Sequence, residues 1–316
     1  MRWRKKGLIF VPDNNFDWMV SHASIPIVDR VDNNVLRVYF GTRDKQGRSL
    51  PAYIEVEADN LQNILYVHDK PVLSLGKLGT FDEDGVMPSW IVNHGNIKYL
   101  YYIGWNRRVT VPYHLSIGLA ISDDGGKSFS KYSEGPICDR AMDEPYFNTT
   151  PCVLVVEDTT WRMWYASCTR WEIINGRPEP FYNVKHAESS DGIHWKKSSQ
   201  VCIDYDDFTN AIGRPCVYIE NGMYRMFYSY RSARDYRTDP KQSYRLGYAE
   251  SPDGISWQRK DNEVGIDRSD DGWDSEMIEY CYTYQHSRRY MFYNGNGFGK
   301  SGFGYAVLDE SQGRVH

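Results

Sequence analysis

One strand–turn–strand unit recurs five times along the 316 residues. Ser24-Ile25-Pro26-Ile27-Val28 leads to Leu36-Arg37-Val38-Tyr39-Phe40, and Met87-Pro88-Ser89-Trp90-Ile91 leads to Tyr99-Leu100-Tyr101-Tyr102. The pattern returns from Thr150-Pro151-Cys152-Val153 to Arg162-Met163-Trp164-Tyr165, and from Arg214-Pro215-Cys216-Val217 to Arg225-Met226-Phe227-Tyr228. It returns once more from Glu279-Tyr280-Cys281-Tyr282 to Tyr290-Met291-Phe292-Tyr293. Aligned on Pro26, Ser89, Pro151, Pro215 and Tyr280, the units lie 63, 62, 64 and 65 residues apart. Each anchor stands 13 or 14 residues before its closing aromatic. Fixed-period repetition of short apolar strands means that each unit buries its faces against its neighbours. The expected fold is therefore all-β: a five-bladed β-propeller spanning 1–316 as a single domain.

A third strand repeats as well, in Ile117-Gly118-Leu119-Ala120, Val184-Lys185-His186-Ala187, Leu246-Gly247-Tyr248-Ala249 and Phe303-Gly304-Tyr305-Ala306. A weaker copy is Ala52-Tyr53-Ile54-Glu55. Three copies run into Asp124-Gly125, Asp191-Gly192 and Asp253-Gly254, which are strong hairpin signals. Turn chemistry is the plain role of those aspartates. The last unit ends before a fourth strand. The strand-like Gly7-Leu8-Ile9-Phe10-Val11 is expected to supply it and close the ring.

A net charge of −5 argues against a nucleic-acid or anionic-membrane partner. The apolar run after Arg2-Trp3-Arg4-Lys5-Lys6 is too short for a signal peptide or membrane span, so a cytoplasmic location is expected. The six cysteines have no paired spacing and are expected to be reduced core residues. The 25 tyrosines and 10 tryptophans suit both strands and sugar-binding surfaces.

Propeller topology predicts which residues meet. The segment before each anchor and the segment after each closing aromatic share one rim, and rims carry function. That rim gathers Asp17, Trp18 and His22; Asp82 and Asp84; Asp143 and Glu144; Arg214; and Asp274, Glu276 and Glu279. It also gathers Arg43-Asp44, Trp105, Arg107, Arg170-Trp171, Arg231 and Asn296. Arg43, Arg107, Arg170 and Arg231 at equivalent positions point to an anionic ligand: a carboxylate, a phosphate or a nucleotide sugar.

At architecture level the whole chain resembles the five-bladed propeller glycoside hydrolases of families 43, 32, 68 and 130. Those families place an Asp in blade 1, an Asp in blade 2 and a Glu in blade 3. The resemblance assigns these to Asp17 in Asn15-Phe16-Asp17-Trp18, Asp84 in Phe81-Asp82-Glu83-Asp84, and Glu144 in Asp143-Glu144-Pro145. Blade 1 lacks the Asn-Asp-Pro motif of family 32, and no C-terminal sandwich follows. The chain also resembles single-propeller proteins of bacterial surface-polysaccharide gene clusters, which implies intracellular glycan or nucleotide-sugar chemistry.

The expected activity is glycosidic cleavage of a glycan or sugar conjugate by paired carboxylates. Glu144 is the expected acid, its pKa raised by apolar neighbours, with Asp17 or Asp84 as base. Glu279 is the additional carboxylate that blade 5 brings. Trp18, Trp90, Trp105 and Trp171 are candidate sugar platforms, and the other rim residues named above are candidate substrate contacts. A transferase or phosphorylase using a nucleotide sugar or sugar phosphate is the alternative, and a non-catalytic glycan-binding propeller the third reading. No EF-hand-like loop or His cluster appears, so no metal or cofactor is expected. The sequence leaves the oligomeric state open.

Overall fold

The computed structural model describes residues 1–14, 16–157 and 159–309; Asn15, Asp158 and residues 310–316 lie outside the described residues. After β1 (Trp3–Phe10), the strands form successive antiparallel sets. The first holds β2 (Ser21–Arg30), β3 (Val35–Arg43), β4 (Ser49–Glu57) and β5 (Asn60–Val67). The second holds β6 (Gly85–His94), β7 (Ile97–Arg107), β8 (Tyr113–Ser122) and β9 (Ser130–Lys131). The third holds β10 (Asn148–Glu157), β11 (Thr160–Ile174), β12 (Arg177–Ser189) and β13 (Lys196–Ile203). The fourth holds β14 (Ala211–Glu220), β15 (Met223–Arg231), β16 (Arg245–Ser251) and β17 (Gln258–Arg259). The last holds β18 (Glu279–Gln285), β19 (Arg289–Asn294) and β20 (Phe303–Leu308), and β1 pairs antiparallel with β20 from Trp3↔Leu308 to Phe10↔Phe303.

Successive side chains on a strand point to opposite faces. The two adjacent aromatics within each second strand therefore do different work. In the first four sets the first of the pair reaches the next set. Tyr39 Oη donates to Gly126 O (2.6 Å), Tyr101 Oη to Gly192 O (2.7 Å), and Trp164 Nε1 to Gly254 O (2.7 Å). These carbonyls belong to the Asp-Gly turns, where Asp124, Asp191 and Asp253 accept from backbone N–H groups of their own turns. Phe227 has no polar group and instead packs edge-on against Trp3 of β1, with ring centroids 5.8 Å apart.

In four sets the second aromatic of the pair turns inward to an acid, buried in three of them. Tyr102 Oη donates to Asp82 Oδ2 (2.9 Å), which also takes Lys131 Nζ at 2.6 Å. Tyr165 donates to Glu144 (2.9 Å), which takes Lys197 and Lys185 at 3.0 and 3.1 Å. Tyr293 donates to Asp274 (3.0 Å), which takes Lys5 at 2.6 Å. Tyr228 donates to Asp261, which takes Arg259 at 2.7 Å. Each acid takes a cation from the fourth strand of its set (Lys185, on the third strand β12, is additional), and in the last set that strand is β1. The first set ends on Phe40, which has no hydroxyl and packs against Phe10 and Phe303. No acid is needed there.

The repeated third-strand glycine makes room for this ring. A Cβ on Gly118 or Gly247 would fall 2.2 Å from Tyr102 or Tyr228. In the third set the equivalent residue is Lys185, and its ammonium is the additional cation on Glu144.

Removing one partner of a buried ion pair leaves the other charge uncompensated and costs about 3 kcal/mol or more. Asp82→Ala is expected to lose stability on that scale, because Lys131 and the Tyr102 hydroxyl both lose their acceptor. Tyr102→Phe should cost only about 1 kcal/mol. Denaturant unfolding of the two variants measures the difference, and equal losses would contradict the brace.

Candidate functional site

Each first strand breaks register near its start: between Ser24 and Ile27, Pro88 and Trp90, Thr149 and Cys152, Gly213 and Cys216, and Glu279 and Tyr282. Such bulges re-aim side chains. In four of these strands a non-glycine residue at the break is left-handed: Ile25 (φ 54°), Thr150 (φ 48°), Arg214 (φ 53°) and Tyr280 (φ 57°). This conformation costs on the order of 1–3 kcal/mol per residue and persists only where its surroundings enforce it. They do so from neighbouring sets. Ile25 N donates to Asn294 Oδ1 (3.0 Å), Arg214 N to Thr150 Oγ1 (3.0 Å) and Tyr280 N to Ser229 Oγ (2.8 Å).

All four left-handed residues line one cavity of about 420 Å³. Its walls are tyrosines and arginines. Tyr182 and Tyr244 share a hydroxyl hydrogen bond (2.6 Å), and the Tyr280 hydroxyl lies 3.5 Å from that of Tyr244. The Arg231 guanidinium lies 3.7 Å from the Tyr236 ring centre and donates to Tyr244 Oη and Ser232 O. Arg214 is wholly buried, and its Nε and Nη2 have no hydrogen-bond partner. Trp105, Tyr113, Phe147 and Phe298 complete the apolar lining. No Asp or Glu is among the lining residues.

One carboxyl stands directly behind the lining. Glu279, next to Tyr280, is fully buried. Its Oε1 accepts from Asn294 Nδ2 (2.9 Å), while Oε2 has no partner. Burial pushes its pKa up to about 8, against the opposing pull of Asn294, of the neighbouring Tyr280 and of the Arg231 and Arg43 charges. Burial therefore favours the protonated form of this carboxyl well above the ordinary glutamate range.

The other predicted site residues are spread more widely than the rim alignment implies. Asp17 is exposed and pairs with Lys45 at 2.6 Å, and Trp18 donates to Asp69 O. His22 bonds Ser21 Oγ through Nδ1; burial, then the Arg43 and Lys300 charges, push its pKa down to about 4. Asp44 caps its own turn and pairs with Arg48. Asp84 accepts from Arg107 N and pairs with the Arg107 guanidinium (3.3 Å). Arg170 pairs with Glu172, packs over Phe181 and borders a separate groove with Asp206 and Asp207. Glu276 is exposed, and Asn296 accepts from its backbone N–H (2.8 Å). Asp274 and Glu144 are brace acids. For Glu144 the expected pKa direction is reversed. Burial does raise it, but Lys197, Lys185 and the Tyr165 hydroxyl more than offset burial and hold it below the ordinary glutamate value. Arg43, Trp105, Arg214 and Arg231 line the cavity; Trp90 and Trp171 do not.

Sequence reasoning overlooked Thr150, Tyr182, Tyr236, Arg237 and Tyr244 as lining residues. The signal for Thr150 was present: it precedes Pro151, just as Arg214 precedes Pro215 and Ile25 precedes Pro26. Tyr182 lies on a third strand, and Tyr236 to Tyr244 in a connection before one, outside the two segments that define the rim.

No family model matches the chain. Over 313 residues it is 39% identical to Uncharacterized protein MT1551 of Mycobacterium tuberculosis strain CDC 1551 / Oshkosh and equally to Uncharacterized protein Rv1502 of strain ATCC 25618 / H37Rv. Those alignments cover 98% of this chain and all of each relative. Among solved structures, a glycoside hydrolase superposes with a TM-score of 0.73 at 19% identity, over 99% of this chain and 94% of the other. A thermostable family-43 glycoside hydrolase gives 0.67 at 18% identity, with 97% of each chain covered. The Bombyx mori GH32 β-fructofuranosidase BmSUC1 gives 0.61 at 14% identity, over 96% of this chain and 61% of that one. At these identities the likeness is one of fold.

The buried Glu279 has a thermodynamic signature. As pH rises from the ordinary glutamate value of 4.5 to about 8, the unfolded chain releases a proton that the folded chain keeps. The stability that Glu279 contributes is whole below that window and is lost across it. Glu279→Gln removes this dependence. Its stability relative to the parent, from urea midpoints, should therefore improve between roughly pH 5 and pH 8. A constant difference would mean that Glu279 titrates normally.

Proposed function

We propose that this chain, which belongs to one family with the two mycobacterial proteins and carries the fold of the propeller glycoside hydrolases, is a glycan-acting hydrolase with its site in the tyrosine- and arginine-lined cavity. The five strand sets are read as five blades of one ring and one domain, closed where β1 completes the last set. The pairing of β1 with β20, and the contact of β18 with β2, support that closure. The setting proposed is intracellular glycan or sugar-conjugate chemistry. Among the described residues no helix is long and apolar enough to cross a membrane.

One observation carries the functional reading: beside the cavity to which all five sets contribute, next to the lining residue Tyr280, stands a fully buried carboxyl with one oxygen unpartnered, and burial raises its pKa. In glycosidic cleavage the departing oxygen needs a proton. Glu279 Oε2, with its hydrogen-bonding capacity unspent, is assigned as the donor. The sugar's anomeric C–O bond breaks toward the departing alcohol, which leaves with that proton. Water supplies the new hydroxyl, and the one proton it releases restores the acid form of Glu279. The tyrosine walls offer faces on which a sugar ring packs.

Transfer or phosphorolysis on the same scaffold is the second reading, favoured by the cavity arginines. A product that changes when inorganic phosphate or a nucleotide sugar is added would select it over hydrolysis.

In a screen of aryl glycosides, Glu279→Gln is expected to lower kcat by about 100-fold or more while KM stays near the parent value. Glu144→Gln should instead lower stability, because its two lysines lose their counter-charge, and leave kcat of the folded fraction largely intact. The opposite pattern would move the acid to Glu144. Binding without turnover by the parent protein would select the non-catalytic reading.

A further inference from the structure

Several arginines of the fold are paired with carboxylates. Outside the cavity, Arg37 pairs with Glu55, Arg107 with Asp84, Arg170 with Glu172, Arg259 with Asp261 and Arg289 with Glu220. Within it, Arg237 pairs with Glu179. Arg214 and Arg231 make no ion pair with a carboxylate among the described residues, and each is 2% exposed or less.

Arg214 is the extreme case. Its Nη1 donates to the carbonyl of the adjacent Pro215 (3.3 Å), and its guanidinium lies 5.7 Å from the Trp90 ring centre. Nε and Nη2, the edge that grips an oxyanion in a bidentate pair, have no partner at all. The left-handed backbone at Arg214, held by Thr150 Oγ1, aims this residue at the cavity at a conformational cost. A buried guanidinium without a counter-charge is among the most unfavourable arrangements a core can hold. Glu279 does not relieve it either: its carboxyl bonds Asn294 and makes no ion pair with Arg214 among the described residues.

We propose that the sugar bound in this cavity carries an oxyanion, either a carboxylate or a phosphate ester, gripped by Nε and Nη2 of Arg214 with Arg231 and Arg43 adding positive charge. This rests on the cavity being the carbohydrate site, and it narrows the substrate class to acidic sugars. Guanidinium planarity suits both anions equally. Glu279 in its neutral form adds no repulsion to the incoming charge.

Isothermal titration calorimetry separates the possibilities. The probes are glucuronate, galacturonate and N-acetylneuraminate as carboxylates, glucose 1-phosphate and glucose 6-phosphate as phosphates, and glucose and galactose as neutral parents. At least one anion is expected to bind roughly tenfold or more tighter than the neutral sugars. Whether it is a carboxylate or a phosphate identifies the source of the oxyanion. Arg214→Met should lose that advantage while keeping the weak neutral binding. Arg43→Ala, at an exposed position, should lose part of it and flatten its salt dependence. Neutral sugars binding as tightly as the anions, or no anion binding at all, overturns the proposal. So does an advantage unchanged in both variants. The two readings fail separately. An acidic sugar that binds while no glycoside is cleaved sinks the hydrolase and leaves the anion site standing. Cleavage of a neutral glycoside with kcat/KM unchanged in Arg43→Ala and Arg214→Met does the reverse.

Discussion

The paired aromatics within each second strand are the interaction on which the rest of the molecule depends. Because strand side chains alternate, one dipeptide serves two purposes. Tyr101 fastens its set to the turn of the next, and Tyr102 fastens its set to its own buried acid. Trp164 and Tyr165 repeat this, and Tyr39 and Phe40 repeat the first half. The outward contact needs a turn carbonyl at a fixed place, which is why the Asp-Gly turns recur. The inward contact needs an acid, which in turn needs a cation on the fourth strand. One dipeptide thus links three strands of its own set and a turn of the next.

This rigidity is what the site draws on. Left-handed backbone at Ile25 and Thr150, both β-branched, would relax in an unconstrained strand. Here Asn294, Thr150 and Ser229 hold successive bulges from across set boundaries. Asn294 does this while donating to Glu279, so the bulge in the first set and the buried carboxyl of the last share one side chain. The placement of the cavity residues is therefore set collectively, and a change at one set boundary is felt at the next.

The strands, their grouping and the filling of the last set by the N-terminal segment were legible because they rest on period and alternation, which one sequence displays. The site was legible only in part. Aligning the units places Arg43, Trp105, Arg214 and Arg231 on one rim, and all four line the cavity. The same alignment places Asp82, Glu144 and Asp274 there, yet these acids turn inward to tyrosines and lysines that lie 19 to 53 residues away or, for Lys5, near the other end of the chain. Position along a repeat says which rim a residue is near. It does not say which way the side chain turns, and for acids that depends on a hydroxyl and a cation from other strands. Phe40 was the available clue: where the closing aromatic lacks a hydroxyl, the unit has no brace acid.

The same distinction explains the charge pattern of the cavity. An acid that recurs in step with a tyrosine and a fourth-strand cation is accounted for by packing, whatever its likeness to a catalytic position elsewhere. A charge that breaks the repeat is not. Arg214 occupies the place held by Ile25, Thr150 and Tyr280 in other sets, and Glu279 stands where the equivalent residues are Ser24, Thr149 and Gly213. None of those neighbours is charged, so the scaffold itself asks for neither an arginine nor a glutamic acid at these points. Departure from the repeat, at buried positions with hydrogen-bonding atoms left unpartnered, separates what the ring needs in order to stand from what it holds ready for a ligand.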